Sequence, residues 1–393
     1  MTPTGHPLIL FASLSVAALL AATAASAQGL RKIEHTFPDG STLRFYGQIN
    51  KGVLQYDDGQ ETESYALIDN NNSNTRAGTS YNRTFGDGWT FENVNEIGYA
   101  PYSTADINIL KQTPSASDWE FTNANIRKLD FTFRNDGYGK FWLGQGSMAT
   151  DGIQEIDLSG TNVIAYSSVG DSASAQLLRL TDGTLSDISV GDAFTNYDGP
   201  RRVRLRYDTP TYHNLTFAAA YGRNLLSDDP DVREENVLDA SLAYKNRFGD
   251  VDVQAGMGYF WQEDTMQSWG GSVSALHNPT GVNGTFAFGT NSPDDENEGD
   301  GNFWYAKLGL LRDFVAWGPT AMSVDYYSGD DFFLDRSAGV DSSSSESWGL
   351  ALVQTFERAN TELWLTWRDY DYSDNLASYE DGRALFGGAR FKF

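Results

Sequence analysis

From Leu43 to the end of the chain, apolar and polar side chains alternate with a period of two, in segments of about 9 to 13 residues. Tyr, Phe, Trp, Val and Thr dominate these segments, the residue types that fill a pleated surface, and helical spacing of apolar positions is nearly absent. The alternation predicts about sixteen strands, near residues 43–56, 75–85, 89–99, 123–134, 139–145, 199–208, 212–223, 237–248, 251–261, 267–277, 282–289, 302–312, 316–327, 346–356, 361–372 and 383–393. In the first, Phe45, Gly47, Ile49 and Val53 share one face, and Arg44, Tyr46, Gln48 and Asn50 share the other. In the sixth, Val203, Leu205 and Tyr207 alternate with Arg202, Arg204 and Arg206.

The connections alternate as well. Tight links fall at Gly86-Asp87-Gly88, Asp136-Gly137, Thr209-Pro210, Gly249-Asp250 and Pro279-Thr280-Gly281, and around residues 313–315 and 357–360. Between them come mostly longer, polar and acidic stretches: 57–74, 103–122, 146–198, 225–236, 290–301, 329–345 and 373–382. Short turns on one rim and long loops on the other predict an all-β, closed, 16-stranded antiparallel transmembrane β-barrel, with short periplasmic turns and long extracellular loops. A strand of about 12 residues, rising about 3.3 Å per residue and tilted about 40°, spans roughly 25 to 30 Å, enough for the apolar band of a bilayer. An arginine facing hydrocarbon near the midplane costs about 2 to 4 kcal/mol, so Arg202, Arg204 and Arg206 are expected to line water. Trp89, Tyr99, Trp142, Phe260, Trp261, Trp317, Tyr326, Tyr327, Trp364, Tyr370 and Tyr372 lie near strand ends, where interfacial girdles are expected.

A mean hydropathy of -0.44 agrees with this reading, because only every second residue of such a strand meets lipid. Residues 8–25 are almost wholly apolar and run into Ala25-Ser26-Ala27, a small-x-small site, which predicts a cleaved signal peptide over 1–27 and a single barrel domain over 28–393. An N-terminal membrane anchor fits less well, since the run falls short of about 20 strongly hydrophobic residues and is rich in Ala. The formal charge of -25 lies outside residues 1–27, which carry no Asp, Glu, Lys or Arg, and it argues against nucleic-acid binding. With no cysteine there is no disulfide framework or thiol chemistry. The four histidines, His6, His35, His213 and His277, fall where no Ser/His/acid set can form, so neither an enzyme nor a cofactor is expected. The acidic run from Asp294 to Gly299 begins like a calcium loop, but its twelfth position is Tyr305, which excludes an EF-hand. Weak divalent binding that bridges lipopolysaccharide phosphates stays open beside an ordinary solvated acidic loop.

Five stretches carry a resemblance: RFYGQINKGVLQYDDG from Arg44, TRAGTS around Arg76, IRKLDFTFRNDGYGKFWLGQGS around Lys128, RRVRLRYDTPTYHNLTFAAAYG from Arg201, and the terminal GGARFKF. In this order and spacing the chain resembles the general Gram-negative outer-membrane porins of the alphaproteobacterial type. The resemblance implies a water-filled channel for passive diffusion of ions and small hydrophilic solutes, multi-pass in the outer membrane and reached through the periplasm. It also implies a homotrimer, contact with lipopolysaccharide and outer-membrane lipid, and recognition by the barrel assembly machinery through the terminal aromatics Phe391 and Phe393. A third loop folded into the lumen is implied too, and residues 146–198 are the longest connection.

Arg76 and Lys128 are carried over from matching family strands to a basic constriction wall, which Arg44 and Arg202 join, with Arg204 and Arg206 continuing it. Asp151, Glu155 and Asp157 are placed opposite only because they lie in the loop; salt bridges that pin the loop to the wall are the other reading. Gln145 follows Leu-Gly where many relatives have Arg, and DGIQEID from Asp151 replaces their acidic-aromatic-glycine motif, which leaves selectivity open. A substrate-specific sugar or anion channel of the same fold is the alternative, and an adhesive or receptor-like barrel a third class. Acidic outer loops and the net charge predict weak cation preference that fades as salt rises.

Overall fold

A backbone that crosses hydrocarbon has to satisfy its N–H and C=O groups internally, and the computed structural model, which describes residues 33–295 and 297–393, does so with a closed ring of antiparallel strands. The strands in chain order are β1 (Ile33–Thr36), β2 (Thr42–Asp57), β3 (Thr62–Asp69), β4 (Arg76–Phe85), β5 (Trp89–Gly98), β6 (Ile126–Asn135), β7 (Gly139–Ser147), β8 (Leu177–Arg179), β9 (Leu185–Ser189) and β10 (Arg201–Asp208). There follow β11 (Leu215–Arg223), β12 (Asn236–Phe248), β13 (Val251–Gln262), β14 (Met266–His277), β15 (Val282–Pro293), β16 (Gly301–Val315), β17 (Gly318–Asp330), β18 (Ser343–Phe356), β19 (Thr361–Asp374) and β20 (Gly382–Lys392). Sixteen of these form the wall, each antiparallel to its neighbour, and they are the sixteen that the alternation predicts. The β8–β9 hairpin stands apart, inside the loop between β7 and β10.

The ring closes where β2 pairs with β20, from Gln48 opposite Lys392 to Asp57 opposite Arg383. Phe393 extends the ladder: its N–H donates to the Gly47 carbonyl at 3.0 Å, and its carbonyl accepts from Gly47 N–H at 3.1 Å. Below that point β1 takes over and pairs with residues 42–45. On its other edge β2 pairs with β4 over residues 42–48 and with β3 over residues 51–57. These two partial strands fill the gaps that one long strand leaves between shorter neighbours. The predicted signal segment lies outside the described residues.

Phe45, Ile49 and Val53 are each at least 40% exposed and face outward, whereas Gln48 and Asn50 are buried on the inner face. Exposed rings cluster near the tight turns (Phe85, Tyr138, Phe141, Tyr212, Phe248, Trp317) and towards the loop end (Tyr259, Trp269, Trp304, Trp348), as two interfacial girdles require. Six of the expected girdle residues do something else. Phe260, Tyr327, Trp364, Tyr370 and Tyr372 are buried on the lumen side, and Trp142 also faces inward, donating to Asp208 at 3.0 Å. The strand phase decides this: Trp364, Tyr370 and Tyr372 share a face with Thr366 and Arg368, not with the outward Leu365 and Trp367.

The wall is uneven. From β4 to β11 its strands have 8 to 10 residues, whereas β12 to β19 have 12 to 15. Against the tall side sits an apolar core inside the barrel, where Ile164, Val169, Leu178, Val190 and Phe194 of residues 148–200 meet Leu54, Tyr65, Tyr305, Tyr327, Tyr370 and Phe386 of the strands. Each such side chain gains roughly 1.5 to 3 kcal/mol relative to water, which is what holds a loop of this length inside the lumen.

Within β7, Gly144 takes a φ of +114, and a Cβ added there would lie 2.0 Å from the Leu129 carbonyl oxygen. Gly144→Ala is therefore expected to lower the unfolding free energy in detergent by about 2 kcal/mol or more. Gly86→Ala, in a turn where an added Cβ meets nothing within 4 Å, should stay within about 0.5 kcal/mol. Denaturant unfolding followed by tryptophan fluorescence checks the pair, and equal effects would contradict the reading.

Candidate functional site

Residues 148–200 leave the top of β7 and are fastened along the tall wall strand by strand. The Asp239 carboxylate on β12 accepts from both the N–H and the hydroxyl of Thr150, each at 2.7 Å. Ser272 on β14 donates to the Ile153 carbonyl at 2.6 Å, and Leu158 N–H donates to Ser274 at 2.9 Å. Lys307 on β16 donates to Asp157 and to the Ala165 carbonyl, both at 2.6 Å. Thr161 and Ser323 on β17 share a hydrogen bond of 2.9 Å, and Tyr370 on β19 donates to the Val169 carbonyl at 3.0 Å. The β8–β9 hairpin then rises to the mouth, where Arg179 grips Asp58 through Nε at 2.8 Å and Nη2 at 2.6 Å.

This seating separates the three loop acids that the sequence singles out. Asp157 faces the tall wall, with its side chain 2% exposed and that of Lys307 0%. A buried ammonium on β16 demands a carboxylate, so Asp157 pins the loop instead of facing the basic wall. Asp151 stays on the lumen side, 3.6 Å from Arg201. Glu155 is held by Asn196 Nδ2 at 3.1 Å, and burial, with Asp171 and Asp151 nearby, pushes its carboxyl up to about 7. Asp198 accepts the N–H groups of Gly152 and Gln154, yet burial and the charge of Glu155 raise it well above the usual carboxylate range. Asp171, which accepts from Tyr166 and Asn71, is raised by burial too. Burial and mutual repulsion thus favour the protonated forms of these crowded carboxyls.

Opposite, the low wall is basic. Glu96 on β5 accepts from Arg127 Nε at 2.8 Å and from Tyr46 Oη at 3.0 Å, with Arg76 Nε at 4.0 Å, so one carboxylate serves two guanidinium groups. Lys128 lies across from Glu96 in the β5–β6 register, and Arg44 lies 5.9 Å from the Tyr46 ring. Arg202 reaches Gln262 at 3.3 Å, and at the seam beside the low wall Arg390 and Lys392 on β20 share Glu362 of β19, both at 2.6 Å.

Two of the expected pore arginines belong to the wall itself. Arg204 has a side chain 0% exposed and pairs with both oxygens of Asp130, at 3.0 and 2.8 Å, across β7. Gly146 makes the room, since a Cβ there would stand 2.8 Å from Asp130 and 3.0 Å from Arg204. Arg206 is held by Asp208 at 2.7 Å and by the Met148 carbonyl at 2.6 Å. Neither lines water freely as the alternation alone predicts. Phe391 and Phe393 lie in the closing seam, the Phe393 ring against Gly47 and 5.6 Å from Phe45.

The sequence reading misses Arg127, Arg201, Arg390, Lys392, Asp171 and Asp198. Arg390 and Lys392 were open to inference from the phase that points Phe391 outward. Arg127 joins Lys128 only through an irregularity in the β5–β6 register at Glu96, which no sequence pattern announces. Among the described residues, no group of three or more His, Asp or Glu side chains is placed to hold a metal ion.

Lys307→Met would strand the Asp157 carboxylate at a cost of about 3 to 5 kcal/mol. Residues 148–200 of the folded barrel should then become cleavable by limited proteolysis, and adding Asp157→Leu should restore much of the protection. A single variant as resistant as the parent would show that this pair does not hold the loop.

The chain matches the family described as Gram-negative porin over residues 13–375. No curated protein matches it. Among solved structures it is similar to an anion-selective porin from Comamonas acidovorans, at 13% identity and a TM-score of 0.56, covering 90% of this chain and 100% of that one. Similar also are OmpF of Salmonella typhi in complex with daunomycin (11% identity, TM-score 0.59, 92% and 100% covered) and a trimer form of OmpT, an outer membrane protein of Vibrio cholerae (13%, 0.53, 90% and 99%). At these identities the likeness shows the fold.

Proposed function

The chain belongs to the Gram-negative porin family of outer-membrane channels for small solutes, and from that premise we propose that solutes pass along the lumen between the inserted loop and the low wall. The observation that carries this is the one-sided seating of residues 148–200: the tall wall is covered, while Arg76, Arg127, Arg201 and Lys392 keep side chains 25%, 20%, 35% and 45% exposed inside the ring. Asp151 and Glu155, with Asp171 and Asp198, form the acidic side of the constriction. Arg44, Arg76, Lys128 and Arg202, with Arg127 and Arg201, form the basic side. Asp157, Arg204 and Arg206 build its frame. Opposite charges across a narrow lumen orient water and disfavour apolar solutes. Liposome swelling tests the reading: neutral sugars should enter at rates that fall with size and do not saturate, and saturation by one sugar would favour a substrate-specific channel.

The acidic outer loops enrich cations at the mouth, so reversal potentials should show weak cation preference at low salt that fades as screening rises. Glu155 is neutral below a pKa of about 7 and charged above it, so cation preference should rise as pH passes upward through that range. Glu155→Gln should remove that step. Anion selectivity persisting at high salt, or a pH step unchanged in the variant, would contradict this assignment.

The low wall supports a homotrimer. Strands of 8 to 10 residues span only about 20 to 25 Å when tilted. Their outer face also carries a polar patch, where Asn95 donates to Asn93 at 2.8 Å and to Thr79 at 3.4 Å, in register with Leu129 and Phe131. Protein, not lipid, suits such a surface, and the small outward residues Gly47, Gly387 and Ala389 on β2 and β20 let walls approach. The Vibrio cholerae neighbour is described as a trimer. Mass measurement in mild detergent should give three chains, and monomer alone would overturn this assignment. Phe391 and Phe393 are assigned to recognition by the assembly machinery, and the acidic loops to the lipopolysaccharide side.

A further inference from the structure

A cavity of about 690 Å³ opens above the top edge of the low wall. Arg127, Gln145 and Arg201, at or near the tops of β6, β7 and β10, line it together with the amides of Asn123, Asn125 and Asn224. Gln145 is only 9% exposed; its side-chain amide makes no hydrogen bond within the described residues and opens into the cavity, where a solute can meet it. Gly144, within β7 at φ +114, immediately precedes it.

The charges around this amide are unevenly matched. Asp118 is taken by Lys111 at 2.6 Å, and Asp106 by the Ser103 hydroxyl at 2.7 Å, which leaves Glu120 as the unpaired carboxylate of the lining. On the basic side, Arg127 shares Glu96 with Arg76, and Arg201 Nε makes no hydrogen bond, its nearest carboxylate oxygen being on Asp151 at 3.6 Å. Guanidinium donors with spare N–H groups suit a carboxylate, and amides that both donate and accept suit hydroxyls.

We propose that this cavity is a binding subsite for small carboxylates that bear hydroxyl groups, the sugar-acid class, with Arg127 and Arg201 holding the carboxylate and Gln145 a neighbouring hydroxyl. The proposal rests on the channel reading and adds to it a solute that lingers on its way through. Neutral sugars lack the charge, and simple carboxylates lack the hydroxyl that Gln145 needs.

The test uses the purified protein in planar bilayers in potassium chloride, with D-glucuronate, D-glucose or acetate added on the loop side. Glucuronate should interrupt the current in a saturable way, with acetate and glucose weaker by about tenfold or more, the equivalent of about 1.4 kcal/mol. Gln145→Leu should weaken the glucuronate effect about tenfold and leave the weak acetate effect nearly as it was. The comparison of three solutes on the parent protein needs no variant and decides the matter even if the substitution misfolds. Glucuronate indistinguishable from acetate in a conducting channel, as would follow if a neighbouring subunit filled the cavity, overturns the subsite and leaves the channel reading intact. No conductance at all strikes at the channel reading itself.

Discussion

Hydrocarbon offers no hydrogen-bond partner, and most of this molecule follows from that. Sixteen strands close on themselves, with β1, β3 and Phe393 supplying the pairing where the first and last strands differ in length. Closure turns one set of alternating residues to lipid and encloses the other, so the polar half of each strand faces a lumen. A loop of more than fifty residues then finds in that lumen both polar and apolar surface. Ile164, Val169 and Phe194 give it a core, and Asp157, Thr161 and Val169 give it fastenings on β16, β17 and β19.

The fastenings are one-sided, and function follows from this. Ion pairs bury charge within the tall wall and its loop, as in Lys307 with Asp157 and Arg368 with Asp325, each with both side chains at most 2% exposed. On the low side, carboxylates are fewer than the cations they serve. The lumen therefore has a fixed, largely neutralised flank and a basic flank with unmatched donors. Such a built-in arrangement needs no moving part to set a field across the passage.

The strands and their faces were legible because period two and turn chemistry are local. The arginine ladder on β10 was assigned to the correct face for the same reason. What each arginine does there was not legible: Arg204 is matched by Asp130 two strands away, through space that Gly144 and Gly146 leave open. Asp157 reads like Asp151 in sequence until Lys307, on a strand far along the chain, claims it. Aromatics at strand ends are equally ambiguous, since Trp317 faces the membrane interface while Trp364 packs inside. Only the phase of each strand tells them apart. Gln145 stood out in the sequence as a departure, but its solitary amide is visible only once its neighbours are in place.

Residues 148–200 lie along the tall wall while the passage beside them stays open. Because the chain has no cysteine, one pair tests this directly: Thr161→Cys with Ser323→Cys, where the native hydroxyls stand 2.9 Å apart. Mild oxidation should form the disulfide almost completely and leave single-channel conductance as it is in the reduced protein. A pair that fails to cross-link, or a current that changes several-fold when it does, would contradict this arrangement.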